Sequence, residues 1–71
     1  MRTDHKFIVM CIVDFGDSDT IESEYSGEEY TDYDSAVAEM HEADRDPRVT
    51  RAWISHLWME DGELWGEELY R

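Results

Sequence analysis

The stretch Phe7-Ile8-Val9-Met10-Cys11-Ile12-Val13 constrains the fold more than any other part of this chain. It is apolar throughout and rich in β-branched side chains. Such a run reads as a strand buried on both faces, and so as an interior strand of a sheet. It is too short to cross a bilayer. The chain has only 71 residues with which to cover it. At that size roughly 60% of the unfolded surface is buried, so the core is thin. One domain spanning residues 1–71 is the expectation, with the run at the centre of a small sheet. The strand is expected from Lys6 to Phe15, with Met1–His5 as a frayed end.

The remaining elements arrange themselves around that strand. Gly16-Asp17-Ser18-Asp19 is a turn signal, and a second strand runs from about Thr20 to Ser26. Ile21, Ser23 and Tyr25 share one of its faces; Thr20, Glu22 and Glu24 share the other. Gly27 marks a bulge or the strand end. Tyr33–Asp44 reads as a helix, with Ala36, Val37, Met40 and Ala43 as a narrow apolar stripe. Asp34 is the favoured N-cap and Asp32 its rival. Arg45 suits the last helical turn, and Pro47 stops the helix. A third strand covers Val49–Met59. Asp61-Gly62 is a strong two-residue hairpin signal, so Glu63–Tyr70 returns as the fourth strand. That turn sets the register: Trp58 opposite Trp65, Met59 opposite Leu64, Ile54 opposite Leu69 and Trp53 opposite Tyr70.

The pattern is β-β-α-β-β, an α+β fold. A right-handed crossover that skips one strand gives a four-stranded antiparallel sheet in the order 2-1-3-4, with one helix packed on one face. The last hairpin has apolar residues on both faces. One carries Ala52, Ile54, Trp58, Trp65 and Leu69; the other carries Trp53, Leu57, Met59, Leu64 and Tyr70. A single helix covers only one of them. The second is either covered locally or left as an apolar patch for a partner or a second copy of the chain.

Charge sets the second constraint. The chain carries 19 acids, 6 bases and a net charge of −13. From Asp14 to Asp34 there are nine carboxylates and no Lys or Arg. This sign excludes direct nucleic-acid binding and an anionic membrane surface, and favours a basic protein as partner. Alternate residues of a strand stand ~6.6 Å apart on one face. Glu22 and Glu24 meet that spacing, which is close to that of neighbouring phosphates on a nucleic-acid strand. Such a row can occupy Lys and Arg sites built for a phosphate backbone. The expected contact residues are Asp17, Asp19, Glu22, Glu24, Glu28 and Glu29, with Trp53 and Tyr70 as apolar anchors.

No constellation for catalysis, a cofactor or a metal stands out. Asp14, Asp17 and Asp19 around Gly16 lack the EF-hand spacing. His5, His41 and His56 lack zinc spacing, and His56 reads as a hydrogen-bonded histidine at the edge of the core. Cys11 sits among apolar neighbours with no base to activate it, and reads as a buried inert thiol. As the only cysteine it forms no internal disulfide, which fits a cytoplasmic setting. The expectation is a protein that is not an enzyme.

In length, in the acidic tract Asp14–Asp34 and in the Trp-rich last hairpin, the chain resembles small acidic proteins of phages and mobile elements. That group includes DNA-mimic inhibitors such as anti-restriction proteins, uracil-DNA glycosylase inhibitor and several anti-CRISPR proteins. The resemblance implies a stoichiometric inhibitor, acting in the host cytoplasm, that blocks the nucleic-acid groove of a defence nuclease or CRISPR effector. The alternative is a non-enzymatic accessory or structural protein whose acidity is a solubility or salt adaptation; five Arg against one Lys fits that.

Overall fold

The computed structural model describes residues 1–16 and 20–69. Its elements are β1 (Arg2–Asp14), β2 (Thr20–Tyr30), α1 (Tyr33–Arg45), β3 (Val49–Glu60) and β4 (Glu63–Leu69). The strands pair antiparallel in one sheet, in the order β2-β1-β3-β4, and α1 packs on one face. This is the α+β topology read from the sequence.

Residues directly opposite one another in antiparallel strands share a face, so the register sorts the side chains. Val9 stands opposite Ile54, and Ile54 opposite Leu69; Cys11 stands between Ser23 and Ala52. This set faces α1, where Val9, Cys11, Ala52 and Ile54 close a core with Ala36, Met40 and Ala43. Alanines at 36 and 43 let the helix backbone approach the sheet. Ile54 is 1% exposed, and removing its side chain would leave a cavity.

The helix is shorter than the sheet it covers. Thirteen helical residues rise about 20 Å, whereas the 13 residues of β1 extend about 43 Å. The start of α1 lies near Phe7, whose ring meets Tyr33 edge-on at 5.9 Å. Its far end lies near Tyr25, whose hydroxyl donates to Asp46 just past the C-terminus. The helix therefore spans Phe7–Val13 of β1 and leaves the Arg2–Lys6 end bare.

Four details differ from the sequence reading. Asp32, not Asp34, caps α1: its Oδ2 accepts from the Ser35 N–H at 2.8 Å, and its backbone is extended. A cap must reach the N–H three residues on, and from Asp32 that group is Ser35. Secondly, Arg2–His5 is not frayed. Arg2 stands opposite Glu60 and Thr3 opposite Met59, followed by an irregularity at Asp4 with φ 55°. Side-chain contacts to β3 hold this end, and those leave no hydrophobic period in the sequence. Thirdly, β1 ends at Asp14, whose carboxylate accepts from the Gly16 N–H, so Phe15 lies outside the strand. Fourthly, β2 continues past Ser26 to Tyr30 by way of a bulge. Ile8 is opposite Glu29 and Met10 is opposite Glu24, so Tyr25–Glu28 stand against Val9 alone. Gly27 supplies the positive φ (81°) that this bulge requires.

The hairpin turn matches its sequence. Asp61 (φ 53°) and Gly62 (φ 80°) both have the positive φ of the turn that joins twisted strands tightly. The pairs Trp58–Trp65, Met59–Leu64 and Ile54–Leu69 form as expected. Tyr70, and with it the pair to Trp53, lies outside the described residues.

Candidate functional site

The bulge decides which acids stand together. Before it, Glu22 and Glu24 are opposite Ile12 and Met10, on the sheet face away from α1. Three extra residues reverse the alternation, so Glu29 joins the same face opposite Ile8, while Tyr25 and Tyr30 both pack toward the helix. Glu22, Glu24, Glu28 and Glu29 are all exposed on an edge strand. Glu24 reaches along the strand, its Oε2 3.8 Å from where a Cβ on Gly27 would be. Glu28 sits on the bulge, its N–H bound to the Ser26 hydroxyl at 3.2 Å. Glu29 forms an ion pair with Lys6 at 3.3 Å, both side chains half exposed. Such a surface pair contributes about 0–1 kcal/mol and leaves the acid available to a partner. Asp17 and Asp19, also expected at this site, lie outside the described residues.

Of the two expected apolar anchors one changes, and the other, Tyr70, lies outside the described residues. Trp53 is only 4% exposed, although it lies on the face away from the helix. That face is partly closed by its own side chains, since Ile8 is buried too. In the last hairpin the accessible large apolar residues are on β4: Leu64 is 67% exposed and Trp65 49%. Leu64, Leu57 and Met59 form the apolar part of a cleft of about 420 Å³ whose rim is Asp4, Lys6 and Glu29. Leu57 is laid across Gly66, where a Cβ would come within 2.9 Å of its Cδ2. The acidic row thus ends at an apolar cleft. Sequence patterning placed Leu64 correctly on its face; only the burial of its neighbours singles it out.

The second acidic group, Glu60, Asp61, Glu63, Glu67 and Glu68, lies along the other side of the sheet. Strands β2 and β4 are its two edges, three strand spacings or about 14 Å apart. Two of these acids are engaged within the molecule. Glu60 accepts from the Trp58 indole at 3.3 Å and pairs with Arg2 at 3.4 Å. Glu67 binds His56 at 2.9 Å. In the first tract Asp14, Glu29 and Asp32 are engaged likewise.

Other polar groups have structural duties. Arg48 grips Asp46 through Nε and Nη2 at 3.2 and 3.0 Å, and holds that carboxyl down to about 2. The Arg48 N–H and the Tyr25 hydroxyl add to the same carboxylate. Glu39 is buried under the bulge, where its Oε1 accepts from Ser26 (2.5 Å) and Tyr30 (2.8 Å). The bond to Glu39, with burial, pushes the Tyr30 phenol up to about 12. Burial pushes the Cys11 thiol up as well, away from the thiolate that a nucleophile needs. Among the described residues no group of three or more His, Cys, Asp or Glu is arranged to hold a metal ion. None of the described helices is long and apolar enough to cross a membrane.

Comparison with protein-family models, with curated proteins and with solved structures gave no match.

Proposed function

We propose that this protein is an acidic binding module that inhibits a basic nucleic-acid-binding protein by occupying its nucleic-acid groove, in the manner of anti-CRISPR and other DNA-mimic inhibitors. The observation that carries this reading is the placement of Glu22, Glu24 and Glu29 on one face of an edge strand, in a chain of net charge −13. A row of this kind meets Lys and Arg side chains without needing a complementary fold. Glu28 extends the row from the bulge, and Leu64 offers an apolar anchor beside Glu29. The target class is a host-defence nuclease or CRISPR effector, and the inhibitor is stoichiometric rather than catalytic.

The test is binding to a panel of basic nucleases and CRISPR effectors at low and high salt. Charge reversal at Glu22, Glu24, Glu28 and Glu29 should weaken the complex by about 100-fold, whereas reversal at Glu63 and Glu68 should have a far smaller effect. A complex that survives the first reversal overturns the proposal. Absence of any complex, with stability that rises steeply with salt, supports an accessory protein with adaptive acidity instead. Sedimentation of the free chain tests the remaining occupant of the Leu64 cleft, a second copy.

A further inference from the structure

Beyond the N-terminal end of α1, on the same face of the sheet, three strands bring together residues that the proposed binding role does not use. They are Arg2 and His5 from β1, His56, Trp58 and Glu60 from β3, and Glu67 from β4. His56 is 7% exposed, and both of its ring nitrogens are engaged. Its Nδ1 lies 2.9 Å from Glu67 Oε2, and its Nε2 lies 2.9 Å from Nδ1 of His5. The two imidazoles are within 18° of parallel with centroids 5.1 Å apart, so with that N···N distance they meet edge to edge. Phe7 stacks on the His56 ring at 4.4 Å, and Trp58 lies against it at 4.8 Å. The Arg2 guanidinium sits 4.2 Å over Trp58 and pairs with Glu60.

Proton counting fixes the chain of bonds. A carboxylate only accepts, so Nδ1 of His56 carries the proton given to Glu67. His56 Nε2 is then an acceptor, and Nδ1 of His5 must donate to it. One additional proton can go to the outer nitrogen of His5 without breaking either bond. A second has only Nε2 of His56 left within the two rings. Two N–H groups would then face each other at 2.9 Å, on two adjacent cations, and the bond cannot persist.

We infer that His5, His56 and Glu67 form a proton-gated latch that holds the Arg2–His5 end of β1 on the sheet and releases it when both imidazoles are charged. The latched segment is suited to release. Strand β2 ends at Tyr30 opposite Phe7, so residues before Phe7 pair only with β3. Asp4 takes a positive φ that a residue with a side chain adopts reluctantly. Among the described residues, the elements packed around the relay each bring titratable or charged groups. β1 brings Arg2, β3 brings Glu60, and β4 brings Glu67. Through Phe7, β2 adds Tyr30, whose hydroxyl is committed to Glu39, and α1 adds Tyr33. Release would bare Trp58 and part of the β3 edge, creating an acid-dependent apolar surface that the closed form hides.

The test follows imidazole nitrogen signals and backbone amide exchange in the full chain from about pH 8 to about pH 5, the range in which histidine charge changes. At the upper end His56 should be protonated at Nδ1 and bare at Nε2. As both rings charge, protection at residues 2–6, taken relative to the unstructured exchange rate at the same pH, should fall about tenfold or more, while Val9 and Cys11 keep theirs. H5F, which cannot carry the second charge, should lose this pH dependence. The latch is overturned if His56 takes up its second ring proton with residues 2–6 still protected, or if H5F keeps the wild-type profile.

Discussion

The helix-facing side of the sheet has two halves built on different principles. Over Phe7–Val13, α1 lays Ala36, Met40 and Ala43 onto Val9, Cys11, Ala52 and Ile54, and the interior is closed and, apart from the Glu39 carboxylate under the bulge, apolar. Over Arg2–His5 there is no helix, and the sheet is covered by its own longer side chains. There the aromatic rings of Phe7, His56 and Trp58 lie against one another, and Arg2, Glu60 and Glu67 satisfy the polar atoms. The first half draws on area removed from water; the second depends on complete pairing of polar groups. A helix of about 20 Å on a strand of about 43 Å makes such a division necessary. The closed half should carry most of the stability, and the open half most of the response to conditions.

The largest expected effect is at the centre of the closed half. Ile54→Ala should cost about 2–5 kcal/mol, measured by urea unfolding, which a domain this small can barely tolerate. In the open half, His56→Phe keeps a ring in the stack and removes both relay bonds. Glu67 and His5 can return to water, so the loss should be about 1–3 kcal/mol for the two bonds together. Equal losses at the two positions would erase the contrast. The smallest effect concerns Asp46, at the far end of the closed half. Its carboxyl is lowered from 3.8 to about 2, chiefly by the side-chain bonds of Arg48 and then by the Arg48 N–H. A depressed pKa means that the contribution is complete above 3.8 and is lost as pH falls from there through about 2. Protonation of the other acids acts at the same time by relieving repulsion, so the proper comparison is with D46N. The stability difference between the two proteins should be constant above about pH 4 and shrink below it; a difference that grew on acidification would reverse the assignment.

How much of this could be read beforehand differs between the halves for the same reason. The closed half is periodic. The Phe7–Val13 run, the Ala36–Ala43 stripe and the Asp61-Gly62 turn each leave a pattern, and together they gave strand order and register. The open half rests on single long-range contacts. His5 looked like part of a loose end because nothing near it in sequence shows that His56, 51 positions away, completes its bond. The choice between Asp32 and Asp34 as cap turned on one N–H. In the candidate site, Glu22 and Glu24 followed from simple alternation, but Glu29 did not. Its place depends on how many residues the bulge absorbs, which a glycine signals without counting. Trp53 is too buried to serve as an anchor because the face away from the helix is partly covered by its own side chains, the alternative that patterning left open beside an exposed patch.

That count has a consequence for sequence change. Glu24 and Glu29 share a face although they are five positions apart, because the bulge takes up the odd residue. Without Gly27 they would stand four apart, and plain alternation would by itself keep the Glu29 carboxylate outward and the Tyr30 ring toward the helix. A single-codon deletion there would remove the positive-φ position and leave both faces as they are. The bulge therefore lets an odd spacing present the acids that an even spacing would present in a regular strand.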